Sequence, residues 1–401
     1  MMSFSHAPLR SIELFGGAAG LGLGLAQAGF HHEIIVEQDH QACETIRHNQ
    51  RAGHPLVQGW RVLEADVTSL DLSDVDPEPD LLAGGPPCQE FSIGGKHRGA
   101  AGERNLWPWT VQAVRLLRPR AFVFENVPAL MTTHRAYFDY LRLALTLPDV
   151  ASPHIADYEA DASFLRKCLD QGIKSIPTYR VSTAKLVASD FGTAQKRSRV
   201  FLVGIRDDID QTWLAPDASH SEEELMVEKW ITGAYWRRHG LPHPEIDAAG
   251  TAFLRKHNRK PVGDLFAAPP SRLQPTRTVR DAIADLPTAR ADIETFADHL
   301  LAPRQAKAYK GHTGSPIDDP SKTLRAGVHG VSGGENMVDY GPHASPDRYR
   351  HFTIREAARL MDFPDDYRFP GTWSDGLKQL GNAVPSALGH AVGSSVARIL
   401  H

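Results

Sequence analysis

Four times in the first half of the chain a short apolar run is followed by a helical pattern. SIELF (11–15) precedes AGLGLGLAQAGF, HEIIVEQ precedes DHQACETIRHN, PDLLAGG precedes WPWTVQAVRLL, and RAFVFEN precedes YFDYLRLAL. Strands separated by whole helices cannot form hairpins, so the alternation predicts an α/β fold with a mostly parallel, doubly wound sheet. TYRVSTAKLVA (178–188) and RVFLVGI (199–205) read as a closing pair of strands. From 206 to 350 the rhythm is lost among LPHPE, AAPPSRLQPT, ADLPTAR and HGVSGGEN, which predicts a second, irregular domain. It resumes in TIREAARLMDF (353–363), with Thr353 as N-cap and Glu356 three positions on, and in PSALGHAVGSSVARIL (385–400), which opens at proline. Both helices are expected to return to the first domain, giving the division 1–205, 206–350 and 351–401.

Composition narrows the function classes. Across 401 residues, 44 Lys+Arg stand against 48 Asp+Glu, and a net charge of -4 excludes a uniformly basic nucleic-acid coat while leaving local patches open. No apolar run long enough to span a membrane and no signal-peptide pattern is present, so a cytoplasmic protein is expected. Cys43, Cys88 and Cys168 are too few and too scattered for a disulfide framework or a cysteine-rich zinc site, and no metal is expected. Cysteine chemistry here must use one thiol.

Five features carry candidate chemistry. In SIELFGGAAGLGLG, Gly16, Gly17 and Gly20 follow a strand and open a helix; such a turn could hold a dinucleotide or an adenosyl cofactor, or serve packing. Glu37 ends the next strand about 20 residues on, where a carboxylate can accept ribose hydroxyls, and Asp66 in LEADV could bind the adenine amino group. In DLLAGGPPCQEFSIGG, Pro86 and Pro87 stiffen the loop that displays Cys88 at the sheet's carboxyl edge, as a nucleophile requires. FVFENVPAL puts Glu125 and Asn126 after a buried strand, where a partly buried carboxyl group can serve as a proton donor; a helix cap is the plainer reading. In GTAQKRSRV, Gln195, Arg197 and Arg199 stand at spacing two, which on a strand predicts one polar, cationic face.

The ordered series LFGGAAGLGLG, PPCQEFS, ENV, QKRSR, TIREAARLMDFPDDY and GNAVP (381–385) resembles the DNA (cytosine-5) methyltransferases of bacteria and phages over nearly the whole chain. The resemblance implies the methyltransferase type of α/β fold, S-adenosylmethionine as methyl donor, S-adenosylhomocysteine as product, and double-stranded DNA as substrate. It makes Cys88 the nucleophile on carbon 6 of a flipped cytosine and Glu125 the acid at ring nitrogen 3, with Arg197 and Arg199 holding the base and its surroundings. Phe15, Gly17, Gly20, Glu37, Asp66, Pro87 and Asn382 would line the cofactor pocket, and Gln195 would face DNA. The region 206–350 corresponds to the family's variable recognition region, where WRRHG and FLRKHNRKP offer Arg237, Arg238 and Arg255 as DNA contacts. VRDAIADLP (279–287) and PSKTLRAG (320–327) look like family segments within it. Ala19 departs from the family's glycine pair, and the early first motif implies a stand-alone enzyme without a regulatory extension. A monomer is expected, with a cognate restriction endonuclease acting separately.

The alternative within the fold is a tRNA cytosine-5 methyltransferase, against which the long recognition region argues. A nicotinamide-dependent oxidoreductase would account for the glycine turn and Glu37 but leave PPCQ and ENV unexplained. A catalytically dead DNA-binding relative conflicts with an intact Cys88, Glu125 and Arg199.

Overall fold

The computed structural model describes residues 8–72, 75, 78–87, 105–152, 157–257, 271–310, 313–326, 334–344 and 348–401. Residues 1–186, 198–216 and 363–401 form one compact unit, and 187–197 with 217–362 form another.

The first unit is built on seven strands: β1 (Leu9–Leu14), β2 (Phe30–Glu37), β3 (Arg61–Glu64), β4 (Leu81–Gly84), β5 (Ala121–Asn126), β6 (Tyr179–Val187) and β7 (Ser198–Arg206). Their order is β3-β2-β1-β4-β5-β7-β6. The first five run parallel, and β7 lies antiparallel to β5. The order reverses direction beside β1, where open α/β sheets gather their ligands outside the strands' carboxyl ends. Alternation along the strands sends Ile12, Leu14, Ile34, Val36, Leu82, Phe122, Phe124, Val200 and Leu202 into one core, completed by the helices Trp107–Leu117 and Arg135–Thr146. Strand β3 is not among the expected runs; none of its four residues is buried, so RVLE carries no apolar signal.

The opposite face is polar at one point. A register shift after Ser11 breaks the pairing with β2, so Ser11 lies opposite His32 and Ile12 opposite Ile34. His32 then lies between two polar side chains of β1: its Nδ1 is 2.8 Å from Ser11 Oγ and its Nε2 is 2.7 Å from Glu13 Oε2. The ring stacks on Trp60 at 4.4 Å. All three polar groups are buried and mutually satisfied.

Two helices cover that face in direct contact: Gly20–Gln27 and Ser386–Leu400. Glycines set their separation, since a Cβ on Gly24 would lie 2.3 Å from the Ser386 carbonyl oxygen and 2.5 Å from the His390 nitrogen. The helix Ser386–Leu400 thus lies in the first unit. The helix Ile354–Arg359, opened by the Thr353–Glu356 capping box and expected in the first unit, belongs to the second. There Arg355 pairs with Asp298 at 3.0 Å, and Arg359 donates to the Ala282 carbonyl at 3.1 Å and to Asp285 at 2.5 Å.

The second unit has short elements, as its sequence implies. A parallel pair joins His220–Ser221 to Gln274–Pro275, and a three-stranded sheet joins Ser315–Pro316, Met337–Asp339 and Tyr349–His351. A separate core gathers Leu225, Trp230, Ile231, Tyr235, Trp236 and Leu254. Segment 187–197 belongs here because Lys196 N donates to the Ser321 carbonyl at 2.8 Å and Ser321 N to the Ala194 carbonyl at 2.9 Å. Among the described residues, no helix is long and apolar enough to cross a membrane, and no group of three or more His, Cys, Asp or Glu is arranged to hold a metal.

Gly24→Ala tests the helix contact. Its Cβ would meet backbone, which cannot rotate away, so a loss of about 1–3 kcal/mol is expected despite alanine's better helix propensity. Urea unfolding of the two proteins measures it, and an unchanged midpoint would show that the helices part without cost.

Candidate active site

Among the described residues, Phe15, Gly17, Glu37, Asp66, Pro87 and Glu125 lie at or just beyond the carboxyl ends of the parallel strands. After β1 the chain makes a turn in which Phe15, Gly17 and Ala19 have φ of 58°, 53° and 66°. Two of these residues carry a Cβ in a region that favours glycine, at about 1–3 kcal/mol each, so the surroundings must enforce the turn. They do so from three sides. Gly16 N donates to the Val36 carbonyl at 3.1 Å, Gly17 N donates to Glu37 Oε2 at 2.9 Å, and Tyr367 OH donates to the Ala18 carbonyl at 3.1 Å. Gly20 has no room for a side chain, because a Cβ would come within 2.3 Å of the Val384 carbonyl oxygen. A Cβ on Gly17 would meet nothing within 4 Å, so the turn faces open space there. The methyl of Ala19 is accommodated with the residue fully buried in the left-handed region at the N-cap of Gly20–Gln27.

Glu37 ends β2 and organises more than the sequence implies. Its Oε1 accepts from Gln38 N at 2.8 Å and Asp39 N at 2.7 Å, while Oε2 holds Gly17. Asp66, just beyond β3, is exposed, and its Oδ1 accepts from Thr68 N and Oγ1 at 2.9 and 2.8 Å. Asn382, the last residue of the helix Trp373–Asn382, is also exposed. Open space beside Gly17, with hydrogen-bond-accepting carboxylates following two neighbouring strands, suits the hydroxyl and amino donors of an adenosyl group.

Beyond β4 and β5 lies a second group of side chains. Glu125 and Arg199 are diagonal neighbours, since Glu125 pairs with Phe201 across antiparallel strands and Arg199 is two residues away on the same face. Arg199 Nε stands 2.5 Å from Glu125 Oε1, and each side chain is about one-tenth exposed. Gly85 lets the carboxylate approach, for a Cβ there would lie 3.2 Å from Glu125 Oε2. Asn126 turns back to donate from Nδ2 to the Pro86 carbonyl at 3.1 Å, fixing the start of the proline loop against β5. Pro87 is half-buried beside it, and Cys88 lies outside the described residues.

The other two cysteines are packing residues. Cys43 is fully buried in the helix His40–Arg51, and burial, with the charges of Glu37 and Glu64, pushes its thiol up to about 12. Cys168 is buried in the helix Tyr158–Asp170.

The expected common face of Gln195, Arg197 and Arg199 is corrected by the structure. Strand β7 begins at Ser198, so the first two residues precede it and fall in the second unit. Both are fully buried and bound to that unit: Gln195 Nε2 donates to the Leu360 carbonyl at 3.3 Å and Arg197 Nη1 to the Leu324 carbonyl at 3.0 Å. The candidate DNA contacts also differ among themselves. Arg238 is paired with Glu228 at 2.5 Å and Asp281 at 3.2 Å, and Arg237 donates to the Thr232 carbonyl at 2.7 Å. Arg255 is exposed in the last turn of Ala248–Lys256.

Sequence reasoning misses the Ser11–His32–Glu13 group, the clasp of Asn126 on Pro86 and the Glu37 bond to Gly17. The first depends on a register shift invisible to periodicity, whereas Asn126 and Glu37 are in view and only their partners are not.

Glu37→Gln is expected to weaken binding of S-adenosylhomocysteine by about 1.5–3 kcal/mol, the range for a hydrogen bond to a charged group, as read by calorimetric titration. Unchanged affinity would place the ribose elsewhere.

Comparison with known proteins agrees with this geometry. The profile of the C-5 cytosine-specific DNA methylase family matches residues 9–145 and 166–398. The chain is 28% identical to the Type II methyltransferase M.PspPI of Psychrobacter, over 97% of this chain and 79% of that one. It is also 28% identical to the Type II methyltransferase M.NgoFVII of Neisseria gonorrhoeae, over 96% and 84%. Among solved structures, the S. pombe Dnmt2 methyltransferase shares the fold, with a TM-score of 0.55 at 15% identity over 97% of this chain and 98% of that one. The chain belongs to the C-5 cytosine-specific DNA methylases and is a DNA (cytosine-5) methyltransferase.

Proposed function

We propose that this chain, acting as a monomer, transfers a methyl group from S-adenosylmethionine to carbon 5 of cytosine within a specific duplex sequence. The observation that carries the reading is the Glu125–Arg199 pair at the carboxyl edge, beside a proline loop that leads directly to a cysteine. A cytosine inside a duplex cannot be attacked above its ring plane, so the base must be extruded at a cost of about a few kcal/mol.

The Cys88 thiolate then adds to carbon 6 while Glu125, having taken up a proton from solvent, delivers it to nitrogen 3, and carbon 5 becomes nucleophilic. Arg199 holds the Glu125 carboxylate in the free protein and presents guanidinium hydrogens for the oxygen of the base. When bound, S-adenosylmethionine supplies an electrophilic methyl group on a sulfonium sulfur; Phe15, Gly17, Gly20, Glu37, Asp66, Pro87 and Asn382 are the residues to hold it. Once carbon 5 carries the methyl group, loss of its proton to a water molecule, expulsion of the thiolate and return of the nitrogen 3 proton to Glu125 restore the ring and free the enzyme. The second unit reads the flanking sequence, and the product mark protects sites from a separate endonuclease, as the Type II names of the relatives suggest.

Two variants test the chemistry. Cys88→Ala is expected to abolish methyl transfer while leaving DNA binding in place, and wild-type enzyme is expected to form a denaturation-resistant adduct with duplex containing 5-fluorocytosine, because fluorine cannot leave as a proton does. Residual turnover by the alanine variant, or an active enzyme that forms no adduct, refutes covalent attack by Cys88. Glu125→Gln is expected to slow the reaction by at least about 10²-fold, since an amide donates a hydrogen bond but delivers no proton. Bisulfite sequencing of DNA from expressing cells gives the target, and labelled transfer to tRNA in place of duplex DNA would overturn the substrate.

A further inference from the structure

Two consecutive residues of the second unit have their backbone held almost wholly by side chains. The Leu324 N–H donates to Gln195 Oε1 at 3.3 Å, and its carbonyl accepts from Arg197 Nη1 at 3.0 Å. The Arg325 N–H donates to Asn336 Oδ1 at 2.9 Å, and its carbonyl accepts from Asn336 Nδ2 at 2.9 Å. Gln195, Arg197 and Asn336 are all fully buried. Burying an arginine and two amides is expensive, and an ordinary surface loop satisfies its peptide groups with water instead. The adjoining bonds are as firm: Thr323 Oγ1 donates to the Lys196 carbonyl at 2.9 Å. Three buried polar side chains thus fix a segment outside regular secondary structure, and what that segment presents is the side chain of Arg325. Its guanidinium is 65% exposed and reaches the Glu335 carboxylate, itself 13% exposed, at 3.3 Å.

We propose that Arg325 is a preset contact for a backbone phosphate of the DNA duplex, with Gln195, Arg197 and Asn336 as the positioning residues that aim it. The proposal rests on the reading of duplex DNA as substrate. Phosphate is the fitting ligand because the guanidinium, which stands 3.3 Å from a carboxylate here, presents a planar fork that phosphate oxygens can meet through paired hydrogen bonds. Aiming matters because ordering a loop on binding costs conformational entropy, and a backbone already fixed does not incur it. Arg238 is less available, since it is less exposed and held by two carboxylates, Glu228 and Asp281, where Arg325 meets one.

Salt-dependent binding distinguishes this role from a structural one. Affinity of the full chain for a labelled duplex is measured by fluorescence anisotropy across a range of salt, for wild type, Arg325→Ala, Arg325→Lys and Arg290→Ala. Arg290 is a comparably exposed arginine of the same unit, paired with Asp292 at 3.2 Å. Losing one phosphate contact lowers the slope of log affinity against log salt by about 0.9. That change is expected for Arg325→Ala on any duplex sequence; Arg325→Lys is expected to keep the wild-type slope, as is Arg290→Ala. A wild-type slope for Arg325→Ala, or an equal loss in Arg290→Ala, overturns the assignment alone. A loss confined to one duplex sequence also overturns it, since that marks a base contact. A wild-type protein that neither binds nor methylates duplex DNA overturns the substrate reading and this assignment with it.

Discussion

The closeness of the helices Gly20–Gln27 and Ser386–Leu400 is the constraint on which the first unit depends. Without side chains at Gly20 and Gly24, the backbone of 384–390 lies against the first helix, where any Cβ would collide with a carbonyl. That approach lets Tyr367 reach the Ala18 carbonyl and brings Val384 against the turn. The turn in question holds two non-glycine residues at positive φ, a conformation that persists only when neighbours over-determine it. Packing between helices distant in sequence thus sustains the backbone shape on which cofactor binding is proposed to depend.

The same economy governs the carboxyl edge. Every parallel strand is followed there by a distinct feature of the candidate site, with the glycine turn after β1, Glu37 closing β2, Asp66 after β3, the proline loop after β4 and Glu125 near the end of β5. A sheet whose strands share a direction delivers these groups to one side without further machinery. The antiparallel β7 adds a cation to this edge, Arg199, set diagonally to Glu125.

How much of this is legible depends on which signals are local. Apolar runs locate six of the seven strands, and β3 escapes because an edge strand with no buried residue has no reason to be apolar. The capping box at Thr353 is readable from spacing, yet the helix it opens joins the second unit, because Arg355 and Arg359 bind residues 57 to 77 positions earlier in the chain. QKRSR misleads for a related reason: spacing two implies a common face only where a strand exists, and pairing with Ser321 takes Gln195 and Lys196 out of β7. Glu125 and Asn126 are identifiable as chemistry from their position after a buried strand, whereas their partners Arg199 and Pro86 come from other strands and can be found only in three dimensions. In the second unit, buried polar side chains fasten loops, and no periodicity announces them.

The separation of 349 residues between Ala18 and Tyr367 has a consequence for the growing polypeptide. The glycine turn, Val36 and Glu37 are synthesised before the second unit, but Tyr367 and Val384, which also hold the turn, are made only after it. A nascent chain therefore carries the motif of a cofactor site long before it has the site. Contacts this distant also close slowly, because a large loop must be ordered before they form. The turn therefore takes its full set of contacts only when both separated parts of the first unit have been made, which ties its shape to the folding of the whole unit.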